Sequence, residues 1–373
     1  MMFRPARSLS LATALCLLAA ACGGDATTNE SAVEIDTSTL EPVTITLVTH
    51  ESFAVSDGVF EAFTEQTGVT VEVISAGDAG EIVSRAVLTA GDPEGDVMFG
   101  IDNTFLQRGL DAELFVAYES PALADVDDEF ELDDRHRVTP IDVSDVCVNY
   151  WIDELDGPPP STLEDLPAFA DSFVTMNPES SSPGFAFLLA TIARFGDEGW
   201  EDYWRDLVDG GVTISAGWSE AYYGDFIAGG GSAALVTSYA SSPPAEVIFA
   251  DPPVDAAPTG VLLDSCFRQI EFAGILAGTE HPNEAAALVD FMLSSTFQAD
   301  VPLNMFVYPA NSDAVLPPEF VELELRVDQA GTFRVLASEW QSETPSKQAL
   351  ITQLKQWLTG QPDDATLFVS VEQ

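Results

Sequence analysis

The chain has 373 residues, with 62 acids against 13 Lys plus Arg, for a net charge of −49. A surface that negative repels phosphate, which excludes nucleic acid as a partner. The acids are spread along the whole chain, so they describe a solvated surface and on their own point to no ligand.

In chain order, Arg4 and Arg7 precede an apolar run over residues 9–21, followed at once by Cys22-Gly23-Gly24-Asp25. A basic start, a short apolar core and small residues at its end describe an export signal. The run is shorter than the roughly 20 apolar residues of a membrane-spanning helix. Leu18-Ala19-Ala20-Ala21-Cys22 resembles a bacterial lipobox, except that the leucine stands four residues before the cysteine where three is usual. Cleavage there leaves Cys22 as a lipidated N-terminus and the membrane as its anchor; the alternative is a cut by another peptidase with Cys22 unmodified. Residues 1–21 are thus the lipoprotein signal, and losing their two arginines and no acid takes the charge from −49 to −51. Residues 22–42, rich in Thr, Ser and Glu, make a disordered tether.

"VTITLVTH" (43–50) alternates as a strand, and Asp57 is expected to cap a helix carrying Val59, Phe60 and Phe63 that Gly68 ends. "VTVEVI" is a second strand, "GEIVSRAVLTAG" a helix, "DVMFGID" a third strand and "TFLQRGL" a helix. Alternating strands and helices predict an α/β layer with a mainly parallel sheet, whose ligand sits beyond the C-terminal strand ends. His50, Glu51, Ser52, Asp102 and Asn103 fall at such ends. The acidic, Pro-bearing stretch 119–140 is a surface excursion, and "DVCVNYW" (145–151) is a strand into new territory. The alternation resumes over residues 161–249, followed by the strand "CFRQIEFAG" (266–274), the helix "EAAALVDFML" and the segment "VPLNMFVYPAN". Two α/β units, the second inserted into the first, suit a two-lobed clamp with a cleft ligand. The predicted division is 43–143 with 270–373 as one lobe and 144–269 as the other.

Chemistry-bearing motifs are few. Cys147 and Cys266 are the cysteines of the exported body, where thiols commonly pair. No CxxC or His/Cys cluster supports a metal site, the three histidines are scattered, and no pair of acids is singled out for glycosidase chemistry. "SSPG" (181–184) places Ser181 and Ser182 at a helix start, a position for capping or for an anion. "GWSEAYYGDF" (217–226) concentrates aromatic and acidic side chains in one stretch.

Six segments taken together, "HESFAV", "GDVMFGIDNTFL", "SSPGFAFLLATIARFG", "GWSEAYYGDF", "SYASSPPAEVIFA" and "DFMLSSTFQADVPLNMFVYPAN", resemble the thiamine-binding proteins of bacterial ABC importers, members of the type II solute-binding superfamily. The likeness runs in order from about residue 43 to 320 and is weaker beyond. It implies a type II periplasmic-binding-protein-like clamp with two crossover hinge strands. It also implies an exported, monomeric, non-enzymatic carrier that hands thiamine or its phosphates to an ABC permease and, through it, an ATPase, with no cofactor. Thiamine is flat and carries a fixed positive charge, which aromatic faces and carboxylates both attract. The ligand set implied is His50, Ser52, Asp102, Asn103, Ser181, Ser182, Trp218, Glu220, Tyr222, Tyr239, Ser241, Phe306 and Tyr308. Trp218 is expected to face the cleft from a helix that Ser219 caps, while Tyr222 and Phe226, four apart, share a face suited to packing on the sheet. His50 stands where the enteric form has tyrosine, Phe306 where it has tryptophan, and Ala245 where it has tyrosine. The clamp topology lays "DVCVNYW" beside "CFRQIEFAG" and so implies a Cys147–Cys266 disulfide at the hinge. The alternative within the superfamily is a ferric-ion-binding protein using Tyr222 and Tyr223, since hard Fe³⁺ favours phenolate and carboxylate oxygens.

Overall fold

The computed structural model describes residues 35–322. The signal, Cys22, most of the tether and the stretch 323–373 lie outside the described residues. No helix within them is long and apolar enough to cross a membrane.

The first lobe opens as strand β1 (Thr44–Thr49), helix α1 (Val59–Thr67), β2 (Thr70–Ser75), α2 (Ala79–Leu88), β3 (Val97–Asp102), α3 (Leu106–Asp111) and the short β4 (Phe115–Val116). Asp57 does not cap α1. The N-cap is Gly58, which makes no side-chain cap bond, and the helix starts one residue later than an Asp57 cap requires. Asp78 does cap, its carboxylate accepting from Ala79 N at 2.7 Å ahead of α2. The excursion carries two short 3₁₀ segments, Pro121–Asp125 and Asp128–Phe130.

β5 then runs Thr139–Trp151, six residues earlier than the periodicity of "DVCVNYW" suggests, because Ile141 and Val143 extend its buried face. The second lobe holds β6 (Phe173–Met176), α4 (Ser182–Asp209), β7 (Thr213–Ser215), α5 (Trp218–Glu220), β8 (Leu235–Tyr239) and α6 (Ser242–Ile248). α4 is broken at Gly196, so the apolar run before it and the Trp200–Leu207 stretch after it pack as separate arms. β9 (Thr259–Leu276) returns the chain to α7 (Pro282–Met292), α8 (Ser295–Gln298), α9 (Val301–Asn304), β10 (Tyr308–Pro309) and α10 (Pro318–Glu322).

One mixed sheet joins everything in the order β2-β1-β3-β9-β5-β8-β6-β7, with β10 on β5 and β4 on β9. β2-β1-β3 is parallel, and so is β8-β6-β7; the two trios are joined through antiparallel β9 and β5. The expected lobe boundaries at 143/144 and 269/270 fall inside β5 and β9, the shared strands. Because β5 runs with β3 and against β8, the carboxyl ends of the two trios point at each other. On β5, Asp142 is level with the end of β3, both being paired through Glu271, and Val146 is level with Tyr239 at the end of β8. Four residues of strand, about 13 Å, separate those levels. The site expected beyond the strand ends is therefore a single place, where both halves converge.

Candidate functional site

The stretch "GWSEAYYGDF" folds as one turn of helix, Trp218–Glu220, widening into a π turn over Ala221–Asp225. Gly217 occupies the N-cap, so Ser219 is not the cap but lies within the turn. Ser219 instead meets Ser52 of the other lobe, oxygen to oxygen at 3.0 Å. Glu220 turns back to accept from Ala216 N at 2.9 Å and fixes the entry to the turn.

Trp218 is buried, stacked on Tyr222 at 4.9 Å and tilted against Tyr239 at 6.0 Å, with Nε1 donating to Ser238 Oγ at 3.0 Å. Behind it Phe226, Val174, Met176 and Val236 pack as a small apolar cluster. Trp218 and Tyr222 thus have two sides. One packs on the sheet; the other lines a cavity of about 300 Å³, the lower end of the usual ligand-site range. The remaining walls are Tyr223, Ala228, Tyr239, Ser242, Ala245, Glu246, Phe249 and Phe306. Phe306 has a φ of 59° and meets Phe249 edge-on at 5.2 Å, so these two rings form one aromatic part of the wall. Tyr222 OH donates to Glu246, whose carboxyl is raised by burial; burial, with the Glu246 charge, also holds the Tyr222 and Tyr223 phenols above the ordinary tyrosine value.

Beside this chamber lies a row of acids on one sheet face. Asp102, Glu271 and Asp142 are successive cross-strand partners on β3, β9 and β5. Ser144 and Gln269, the next pair on that face, lead toward Tyr239. Burial pushes Asp142 up to about 7 and holds Glu271 well above the carboxylate range, each reinforced by the neighbouring negative charges. Asp78 is pushed up to about 6, mainly by burial. His50 is buried, its Nε2 3.6 Å from Glu271 Oε1, and burial drops it to about 4, so at neutral pH it is an uncharged ring. Gly100, left unpaired in a bulge of β3 at φ 96°, makes room for it: a Cβ there would stand 2.2 Å from His50 Cδ2.

The lobes touch along a seam around the start of α2. Trp218 N donates to Asp78 Oδ2 at 3.0 Å, and Gly80 N donates to Ser180 O at 2.7 Å. A Cβ on Gly80 would meet the Glu179 carbonyl at 2.4 Å.

Of the sequence-predicted residues, Trp218, Tyr222, Tyr239 and Phe306 line the cavity, and His50 and Asp102 join the acid row. Asp102 also organises α3, accepting from Thr104 Oγ1 at 2.7 Å and Phe105 N at 3.1 Å. Asn103 is occupied with β9, donating to Arg268 O and accepting from Ile270 N. Ser181 caps α4 through Gly184 N at 3.5 Å, and buried Ser182 Oγ has no hydrogen-bond partner. Ser241 is engaged with Ser144 Oγ at 3.2 Å, while its neighbour Ser242 lines the cavity. Tyr308 is paired with Val143, which faces the other side of β5 from Asp142, and packs edge-on against Phe320.

Sequence reasoning missed Asp78, Asp142, Glu246, Gln269 and Glu271. Asp142 and Glu271 did carry a signal: each is an acid inside an apolar strand, "PIDV" and "QIEFAG", where burial is expected.

Cys147 and Cys266 lie at the other feature of the shared strands. Val146 pairs with Phe267 but Val148 pairs with Leu262, so residues 263–266 bow out opposite Cys147. The two sulfurs stand 2.02 Å apart there, at bonding distance, with the Cα atoms 4.2 Å apart.

The description "Bacterial extracellular solute-binding protein" fits residues 95–324. The thiamine-binding periplasmic protein of Escherichia coli K12 is 27% identical over 284 residues, covering 75% of this chain and 84% of that one. Its Salmonella typhimurium counterpart is 27% identical over 317 residues, covering 80% and 92%. Among solved structures, a periplasmic thiamin binding protein superposes with a TM-score of 0.70 at 24% identity, over 84% of this chain and 96% of that chain. Iron-bound HitA from Pseudomonas aeruginosa superposes with a TM-score of 0.66 at 21% identity, over 84% and 99%. The fold is the two-lobed type II clamp anticipated from sequence. Matched over more than half its length, the chain belongs to the bacterial extracellular solute-binding proteins, and is a ligand carrier rather than an enzyme.

Proposed function

We propose that this protein captures thiamine, or one of its phosphates, between its lobes and delivers it to the permease of an ABC importer, tethered to the membrane through lipidated Cys22. The observation that carries the reading is the chamber of about 300 Å³ walled by Trp218, Tyr222, Tyr239 and Phe306 and bordered by Glu246 and the acid row. Stacked aromatic faces attract a flat cation by roughly 0.5–2 kcal/mol each once desolvated, and buried carboxyls supply its countercharge. The names of the E. coli and S. typhimurium relatives agree with that chemistry. In this reading residues 43–143 with 270–373 form one lobe, 144–269 the other, and β5 with β9 the hinge. Unpartnered Ser182 Oγ at the start of α4 suits the phosphate of a phosphorylated form, although Asp78, bonded to Ser181, opposes an anion there whenever it is ionised.

Calorimetry of the mature protein with thiamine and its mono- and diphosphate tests this. One ligand per protein is expected, and the relative affinities rank the three forms. No heat and no shift in melting temperature with any of them, well above micromolar concentration, would refute it.

Ferric binding at Tyr222 and Tyr223 is less well supported. Iron needs phenolates, and here burial and the Glu246 charge favour the neutral phenols. Ferric citrate is therefore expected to give no tyrosinate-to-iron absorption band. A strong band lost in Tyr223→Phe would replace thiamine with iron.

A further inference from the structure

We propose that Glu271 and Asp142 are the charge-selecting element of the cleft: the pair holds one proton in the empty protein and exchanges it for the positive charge of the ligand. The inference rests on the cationic ligand proposed above.

The pair are direct cross-strand partners on β9 and β5, buried to 6% and 1% exposure, within hydrogen-bonding reach of each other. Two ionised carboxylates cannot make that bond, since neither has a donor. One must carry the proton, and Glu271 holds it more tightly. The groups facing Glu271 come from every surrounding element: Asp102 at the end of β3, Asp142 on β5, Asp78 ahead of α2, Tyr239 on β8 and His50 after β1. The charges acting on it, from Asp142, Asp102 and Asp78, are all negative, and His50 is neutral. Arg268, three residues along β9, is held by Asp145 at 2.8 Å.

Unpartnered buried polar atoms also border the row. His50 Nε2 points toward Glu271 across 3.6 Å without a hydrogen bond. Gln269 is 2% exposed and leaves Oε1 without a partner on the same face. Tyr239, a wall of the cavity, feels the charges of Glu271, Asp78 and Asp142. Tyr239 thus belongs to the chamber wall and lies within electrostatic reach of the acids, and a cation held against it would favour ionisation of the pair. The O–H bond of the pair then breaks, its proton passes to the buffer, and the cleft keeps the same net charge. A neutral ligand of the same shape drives no such exchange and forgoes that attraction.

The experiment is a calorimetric titration of the mature protein with thiamine at pH 7.5 in phosphate and in Tris, whose ionisation heats differ widely. At that pH Asp78, at about 6, contributes little. The two heats are expected to differ by the equivalent of about one proton released, with affinity rising up to tenfold per pH unit below the point where the pair ionises unaided. Glu271→Gln, which removes the group that holds the proton, should bring the two heats together, and Asp142→Asn, which leaves Glu271 without its partner, should shrink their difference, whatever either does to affinity. Using both variants keeps the test valid if one fails to fold. Binding with equal heats in the two buffers overturns the exchange and leaves the thiamine reading standing. A buffer dependence that survives unchanged in both variants assigns the proton elsewhere, with Glu246 the next group to examine, and also overturns it. Absence of binding in either buffer overturns both readings.

Discussion

Trp218→Ala is expected to weaken thiamine binding at least fivefold, about 1 kcal/mol, and to destabilise the fold by about 3–5 kcal/mol. The first effect follows from the ring face on the cavity and the second from what lies behind it. Trp218 is stacked on Tyr222 and bonded to Ser238 Oγ, and its removal opens a void against Phe226 and Val236. Because a loosened fold also weakens binding, Trp218→Phe is the companion variant. It keeps an aromatic face and most of the packing but loses the indole donor, so its affinity should fall less than that of the alanine variant. Calorimetry at a temperature where each variant is folded separates the two losses, and tryptophan fluorescence of the parent should respond to ligand. An alanine variant that binds as tightly as the parent would make Trp218 a packing residue alone.

Reduction of the Cys147–Cys266 bond is expected to lower the melting temperature by roughly 5–10 °C while changing thiamine affinity little. The link closes a loop of 119 residues, and the chain-entropy model gives such a loop about 4–5 kcal/mol. Affinity should be spared because neither sulfur lines the cavity; both are buried with Ala240, Val261 and Leu263 where the two strands fall out of register. A bond at that point ties β5 to β9 away from the cavity walls. Mass spectrometry of unreduced, alkylated protein checks it directly, and alkyl groups on both Cys147 and Cys266 would rule the bond out.

Much of this architecture was written locally. Ser181 with Pro183 marks the start of α4, Gly68 ends α1, and the apolar periods place the strands of both trios. The aromatic chamber was partly legible because Trp218 and Tyr222 sit in one short stretch. The acid row was not, since Asp102, Asp142 and Glu271 are distant in sequence and become neighbours only through strand pairing. With 62 acids in the chain, composition could not separate the buried ones from the solvated majority. Two expected caps failed: Gly58, in a left-handed conformation at φ 96°, took the position expected of Asp57, and Gly217, in ordinary extended backbone, took that expected of Ser219.

The meeting of Gly80 with residues 179 and 180 has a consequence for how tightly the jaws can shut. Gly80 offers only an amide; across the seam it meets carbonyls, which every amino acid carries, and the Phe105 ring closes in at 2.7 Å from where a Cβ would stand. The demand for smallness at residue 80 therefore comes from those carbonyls and from the Phe105 ring, while the side chains of Glu179 and Ser180 take no part in it. A single methyl group at residue 80 would press on the carbonyls of Glu179 and Ser180 and on the Phe105 ring, and would act as a wedge beside the Asp78–Trp218 contact.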